Sequence, residues 1–294
     1  MVHLLHPDRP SMIRVGHAVL IACVLMTICC GPAASEALKA KSDVKGISLV
    51  ALATLPRSPE TGSPDAICPN YRAKTLTDAG KSVVRLGWIV TSDAPLGRYE
   101  AVTFVSGFTP GTSGLCFARN ANVGIFSGNR LVALAYASRS EDGPLGTVEP
   151  LEGGGLLVWT DPPGTPVGEL HQTRSGLRLT DVASERTFCS RRAVVPNIYG
   201  KPIVAARRVL IAGGWRPQRP SEKPTQFDLA NDLAKRGVVE AEACSGTGVG
   251  YCAFAYRGPA GVLGVTTAGD DNHVVYYEVA CAKVRAEVAR SSHG

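Results

Sequence analysis

The chain has 294 residues, 45% hydrophobic and 19% charged, with a formal net charge of +6. Those values suit a folded chain long enough for two ordinary domains. Basic residues come as scattered pairs (Arg191-Arg192, Arg207-Arg208, Lys235-Arg236) rather than as a strip interleaved with aromatics, which argues against nucleic acid as a partner.

In chain order, the first feature is an apolar run, Val15 to Cys30, preceded by Arg14. It falls short of the roughly 20 residues a membrane span needs. Small residues follow at Ala33-Ala34-Ser35 and Ser35-Glu36-Ala37, the pattern of a signal-peptidase site. Residues 1–37 therefore read as a signal peptide, with the start at Met1 or Met12, and the chain as a periplasmic or secreted bacterial protein. Two alternatives stay open: a lipoprotein signal at Leu20-Ile21-Ala22-Cys23, lipid-anchored at Cys23, and a buried N-terminal helix. Cleavage removes Arg9 and Arg14 with Asp8 and Glu36, so the net charge is unchanged.

Export changes how the cysteines read. Of nine, six remain after Cys23, Cys29 and Cys30 are set aside: Cys68, Cys116, Cys189, Cys244, Cys252 and Cys281. Six in an exported chain imply three disulfides and allow about fifteen connectivities. No Cys-x-x-Cys occurs, so neither a zinc knuckle nor a redox pair is indicated. Cys244–Cys252 is expected because it closes a short glycine-rich loop; Cys189–Cys281 would bracket a second domain and Cys68–Cys116 would lie within the first.

Residues 38–66, with the stretch LPRSPETGSPD, read as a Pro/Ser/Gly-rich linker. A mostly β domain over 67–190 follows. Its one helix is expected at 73–86, with Leu76, Ala79, Val83 and Leu86 on one face and Gly87 after the last turn. Strands are expected at 99–106, 115–119, 122–126 and 130–137, the last two joined by Ser127-Gly128-Asn129. More follow at 155–160, 167–171 and 176–182. Residues 188–196 read as a junction. A second domain over 191–284 begins with a helix at 201–212 burying Ile203, Ala206 and Leu210. Another helix covers 226–236, capped by Thr225 with Asp228 three residues on and with Phe227 on its apolar stripe. Strands at 252–256, 262–267 and 274–281 complete an α-α-β-β-β order, and 285–294 is a tail. The expected class is α+β: two domains, each of helix plus antiparallel sheet.

Two stretches suggest that these domains are related by a diverged duplication. PNYRAKTLTDAGKSVVRLGW (69–88) and PNIYGKPIVAARRVLIAGGW (196–215) share six identities over twenty residues, and the next cysteines, Cys116 and Cys244, fall 28 and 29 residues after Trp88 and Trp215. Val195, Pro196, Gly200, Ala206, Leu210 and Gly214 make 195–215 resemble the opening of a PASTA module, a likeness that implies peptidoglycan or muropeptide binding. The C-terminal half, with Gly214-Trp215-Arg216-Pro217 and CSGTGVGYC, is similar to a group of small, uncharacterised exported proteobacterial proteins, which implies export and fold and brings no activity.

The search for chemistry is mostly negative. His171, His273 and His293 have no motif around them, and GTSGL (111–115) lacks the Gly-x-Ser-x-Gly frame at Ser113. GDDNHVV (269–275) reads as a turn rather than a metal site. GTGVG (246–250) lies between cysteines and precedes a strand, so a disulfide loop suits it better than a phosphate cradle. Trp88 and Trp215 could stack on sugar rings, though packing at the helix ends suits them better. Trp215, Arg207 and Arg208 are the candidate ligand-binding residues. No catalytic set, metal or cofactor is indicated. The expectation is an exported, disulfide-stapled binding or inhibitor module of the periplasm, with an envelope protein or glycan as partner. The alternatives are a binder of peptidoglycan or another anionic envelope polymer, and a hydrolase with a dispersed site.

Overall fold

The computed structural model describes residues 38–60, 68–137, 145–161, 163–221, 229–245 and 248–283. Residues 1–37, read from the sequence as a signal peptide and holding Cys23, Cys29 and Cys30, together with Ile67, Thr225, Phe227, Asp228, His293 and the tail, lie outside the described residues. Among the described residues, no helix is long and apolar enough to cross a membrane.

The segment expected as a linker begins with two strands, β1 (Lys39–Ser42) and β2 (Ile47–Ala51). Ile47 and Leu49 alternate with a less buried Ser48, the period of a half-buried strand, and the proline-rich stretch starts only afterwards. Helix α1 (Asp78–Arg85) starts later than expected. Ala73 is still extended, its N–H donating to the Val90 carbonyl, and Thr77 caps the helix by accepting from Gly80 N at 3.2 Å. Asp93 holds that cap, accepting from Thr77 N at 2.7 Å. Ala79 and Val83 are buried as expected, and Gly87 adopts φ 87° after the last turn.

Strands β3 (Ile89–Leu96) and β4 (Tyr99–Val105) follow as a hairpin. β3 went unpredicted because Asp93 and Pro95 disguise it. Next come the short hairpin β5 (Gly107–Pro110) and β6 (Cys116–Arg119), then β7 (Asn122–Ser127) and β8 (Arg130–Ala137). Four more strands complete this half: β9 (Leu145–Pro150), β10 (Leu156–Thr160), β11 (Pro166–Gln172) and β12 (Gly176–Thr180). They form two five-stranded sheets, β2-β8-β7-β4-β3 and β1-β12-β11-β10-β9.

The two sheets face each other over a core of Ile47, Leu49, Ala101, Ile125, Leu156, Leu170 and Leu179, among others. At one edge, side chains sew them together. Thr91 Oγ1 donates to the Gly146 carbonyl at 2.7 Å, and Val148 N donates to Ser92 Oγ at 2.8 Å. α1 covers the outer face of the first sheet, packing Val83 and Trp88 on Val102 and Phe104. β4 is therefore covered on both faces, which is why it reads as a nearly continuous apolar run.

The stretch expected as a junction is an ordered hairpin, β13 (Glu185–Phe188) and β14 (Ala193–Pro196). Helix α2 (Ile203–Ala212), strand β15 (Arg216–Pro217) and helix α3 (Leu229–Lys235) come next. Strands β16 (Ala241–Cys244), β17 (Cys252–Gly258), β18 (Gly261–Ala268) and β19 (His273–Cys281) complete the chain. The sheet runs β15-β17-β18-β19, with β16 also pairing with β17. Ala206, Leu210, Ala230 and Leu233 from the helices pack on Phe254, Tyr256 and Leu263 from the sheet. The class is mixed α+β, mostly sheet, with three α-helices among the described residues.

Three disulfides join the cysteine pairs expected from the sequence. Their Cα–Cα separations are 6.1 Å for Cys68–Cys116, 5.5 Å for Cys189–Cys281 and 4.0 Å for Cys244–Cys252. Cys244 and Cys252 are also register partners in the β16–β17 ladder, so this bridge closes a hairpin. Such bridges fit an oxidising compartment.

Candidate functional site

The residues singled out from the sequence do not form a site. Trp215 is 2% exposed, its indole N–H donating to the Val194 carbonyl at 3.0 Å, and a side chain at Gly258 would overlap its ring. It is a packing anchor and presents no face to a ligand. Trp88 is also buried, donating to the Pro56 carbonyl at 2.8 Å and resting edge-on against Phe104. Arg207 turns inward: its Nε donates at 2.9 Å to Glu240, a fully buried carboxylate that also accepts from Tyr256 Oη at 2.7 Å. Arg208 alone of the three candidates is exposed.

The other motifs resolve as local structure. His171 Nε2 lies 3.2 Å from Glu169 Oε2, and neither residue lines a cleft described below. His273 opens β19 and is half-buried. Gly269 to Asn272 form the β18–β19 turn, in which Asn272 N donates to the Gly269 carbonyl at 3.0 Å. Thr112–Gly114 is a single 3-10 turn. Of GTGVG, Gly248 to Gly250 belong to the loop closed by Cys244–Cys252, and the Val249 carbonyl accepts from Gly269 N at 2.8 Å. Among the described residues, no group of three or more His, Cys, Asp or Glu is placed to hold a metal ion.

The feature with the chemistry of a site is a cleft of about 420 Å³ between β9–β10 of the sandwich and β18–β19 of the C-terminal sheet. Thr147, Glu149, Trp159 and Thr160 line one side; Tyr251, Thr266, Val275 and Tyr276 line the other. Regular strands would send neighbours such as Trp159 and Thr160 to opposite faces. Here the ladder breaks register beside Trp159 with both neighbouring strands. On the opposite wall the β18–β19 pairing passes from Thr266↔Tyr276 to Thr267↔Val274, leaving Val275 unpaired. These irregularities let two adjacent residues from each wall reach the cleft.

Behind the cleft lies an aromatic and ionic cluster. Trp159 meets Tyr199 edge-on at 5.4 Å and Tyr276 at 5.9 Å, and Tyr199 stacks on Tyr277 at 4.3 Å. Arg186, 7% exposed, sits 5.0 Å from the Phe188 ring centroid and 5.7 Å from that of Tyr277. It donates to Tyr199 Oη at 2.6 Å and lies 3.4 Å from Glu149 Oε1. Burial, more than any neighbouring charge, pushes the phenols of Tyr199 and Tyr277 upward, and that of Tyr276 up to about 12. All three stay neutral at physiological pH, so they serve as ring surfaces and hydrogen-bond groups rather than as bases.

A larger groove of about 670 Å³ runs between α1 and the β7–β8 hairpin. Its cations, Arg85 and Arg130, are exposed. A third, of about 340 Å³, surrounds the Cys68–Cys116 bridge and has no charged side chain among its described lining residues. The cleft at Trp159 joins aromatic side chains to a carboxylate held from behind, a mostly apolar lining with a few convergent polar groups. Trp159, Tyr276 and Glu149 were not singled out from the sequence, because register breaks and a contact between distant strands leave no local motif. No protein-family model, curated protein or solved structure matches the chain.

Proposed function

We propose that the protein is an exported, disulfide-stapled binding module whose ligand occupies the Trp159–Tyr276 cleft. The observation that carries this reading is the pair of register breaks that turn adjacent residues of two different sheets into one aromatic, carboxylate-bearing cleft. Three disulfides and the signal-like segment 1–37 support action in the periplasm, with a lipid anchor at Cys23 as the alternative. The matching helix-Gly-Trp stretches support descent from one duplicated unit, since Gly87 and Gly214 share φ near 87° and 85° and both tryptophans donate to a backbone carbonyl.

The test is capture from envelope extract by the mature chain and by Trp159→Ala. The native chain should retain a protein or glycan partner that the variant loses, with both showing the same circular dichroism. Equal capture by both would remove the cleft from the function. Binding of an anionic envelope polymer is the second reading, favoured by the net charge of +6. Among the described residues the cleft lining carries no Lys or Arg, so such a polymer would bind elsewhere on the surface. Co-sedimentation with sacculi at low salt, unaffected by Trp159→Ala, is what that reading requires.

A further inference from the structure

We infer that the cleft takes an organic cation, an amine or quaternary ammonium group seated against Trp159 and Tyr276 and facing Glu149. This rests on the reading of the cleft as the binding site and names the ligand chemistry. Three aromatic side chains, Trp159, Tyr251 and Tyr276, stand in the lining, and ring faces attract cations through their quadrupole. Among the described lining residues Glu149 is the one Asp or Glu, and no Lys, Arg or His joins it, although the chain as a whole is basic. A second carboxylate stands close by: the Tyr276 hydroxyl donates to Glu278 Oε2 at 3.1 Å. These two carboxylates outnumber Arg186, the cation paired with Glu149 from behind, so the local field opposes that of the whole molecule and favours positive charge.

The molecule already binds one cation by the same means. The Arg186 guanidinium lies against Phe188 and Tyr277, with Glu149 3.4 Å away. Trp159 and Tyr276 extend that aromatic cluster to solvent. The Glu149 side chain is 38% exposed, so its carboxylate stands between the buried guanidinium and the open cleft. An anionic ligand would meet Glu149 unfavourably. A neutral sugar could stack on the rings but would leave the cleft-facing side of that carboxylate, whose other side meets Arg186, without a charged partner.

Choline and lysinamide are the probes, titrated by calorimetry and by tryptophan fluorescence against potassium chloride at equal ionic strength. Trp88 and Trp215 are buried, so a saturable fluorescence change that disappears in Trp159→Phe reports on the cleft. The expected result is saturation by at least one organic cation, weakened about tenfold or more in Glu149→Gln, as loss of a charged partner implies. An equal change with potassium chloride, or no loss of affinity in Glu149→Gln, overturns the inference. Saturation by chitobiose without any by the cations overturns it while leaving the cleft as a binding site. If neither probe class binds and Trp159→Ala still abolishes envelope capture, the cation fails and the cleft stands. If cations bind but capture ignores Trp159, the cation stands and the envelope-binding reading fails.

Discussion

Asp161, two residues beyond Trp159, shows how position alone changes a side chain's behaviour. Its carboxylate accepts from Ala118 N on β6, and burial pushes its pKa up to about 6 from 3.8. A raised carboxyl pKa means that the folded chain holds this proton after the unfolded chain has lost it. This group's contribution to stability therefore falls as pH rises from about 4 to about 6 and stays lower above that. Asp161→Asn keeps an acceptor oxygen for Ala118 and removes the ionisation. The variant should gain stability relative to the native chain at pH 7, and the gain should shrink to nothing by pH 4; urea denaturation across that range measures it. Glu60 has the opposite sign. Hydrogen bonds from Arg119 and then Ser106 lower its pKa from 4.5 to about 2. Its contribution is present above about 4.5 and lost as pH falls toward 2, so the two effects occupy different windows.

The disulfides tie together elements of very different sequence separation. Cys244–Cys252 spans 8 residues and closes a hairpin that its own ladder also holds. Cys189–Cys281 spans 92 and ties the β13–β14 turn to the end of β19. Loop entropy in the unfolded chain gives about 2.5 kcal/mol for the short loop and about 4.6 kcal/mol for the long one. Replacing each pair by alanines should reproduce that order in urea-denaturation free energies. The turn at Cys189 adds a reason for the larger loss. Cys189, Ser190 and Arg191 all have positive φ, at 61°, 57° and 62°, a left-handed run that non-glycine residues adopt at a cost. The bridge holds one end of that run in place.

For the whole molecule, the decisive contact is where the sandwich meets the C-terminal layer. The core of the sandwich and the core under α2 and α3 are separate clusters. Arg186 links them, reaching Glu149 on β9 and the rings of Phe188 and Tyr277. Arg186→Met removes a buried charge from its partners, leaving Tyr199 Oη without its donor. A loss of about 3 kcal/mol is expected. Because the loss falls on the contact between two cores, scanning calorimetry should show the unfolding transition of the variant broaden or split. A single, unshifted transition would mean that the two cores are coupled by other contacts.

Much of the local structure was legible in the residues themselves. Amphipathic spacing and a closing glycine mark α1 and α2, and Ser127-Gly128-Asn129 marks its hairpin, because those signals act within a few residues. The cysteine pairing was legible too, once the three cysteines of the segment read as a signal peptide were set aside. Sequence alone could not reveal β3 or β9, whose prolines and polar residues are tolerated at the edges where Ser92 and Thr91 sew the sheets together. Nor could it reveal that Trp159 rather than Trp215 faces solvent. That choice depends on register: the breaks beside Trp159 and at Val275 exist only between paired strands, and Arg186, Tyr199 and Glu149 converge only when the sandwich and the C-terminal sheet pack together. The sequence by itself determined the helices, most of the strongly apolar strands, the bridges and the α+β class; the tertiary structure decided the remaining strands and where the chemistry sits, because edge strands and a cleft assembled from distant strands have no periodicity to read.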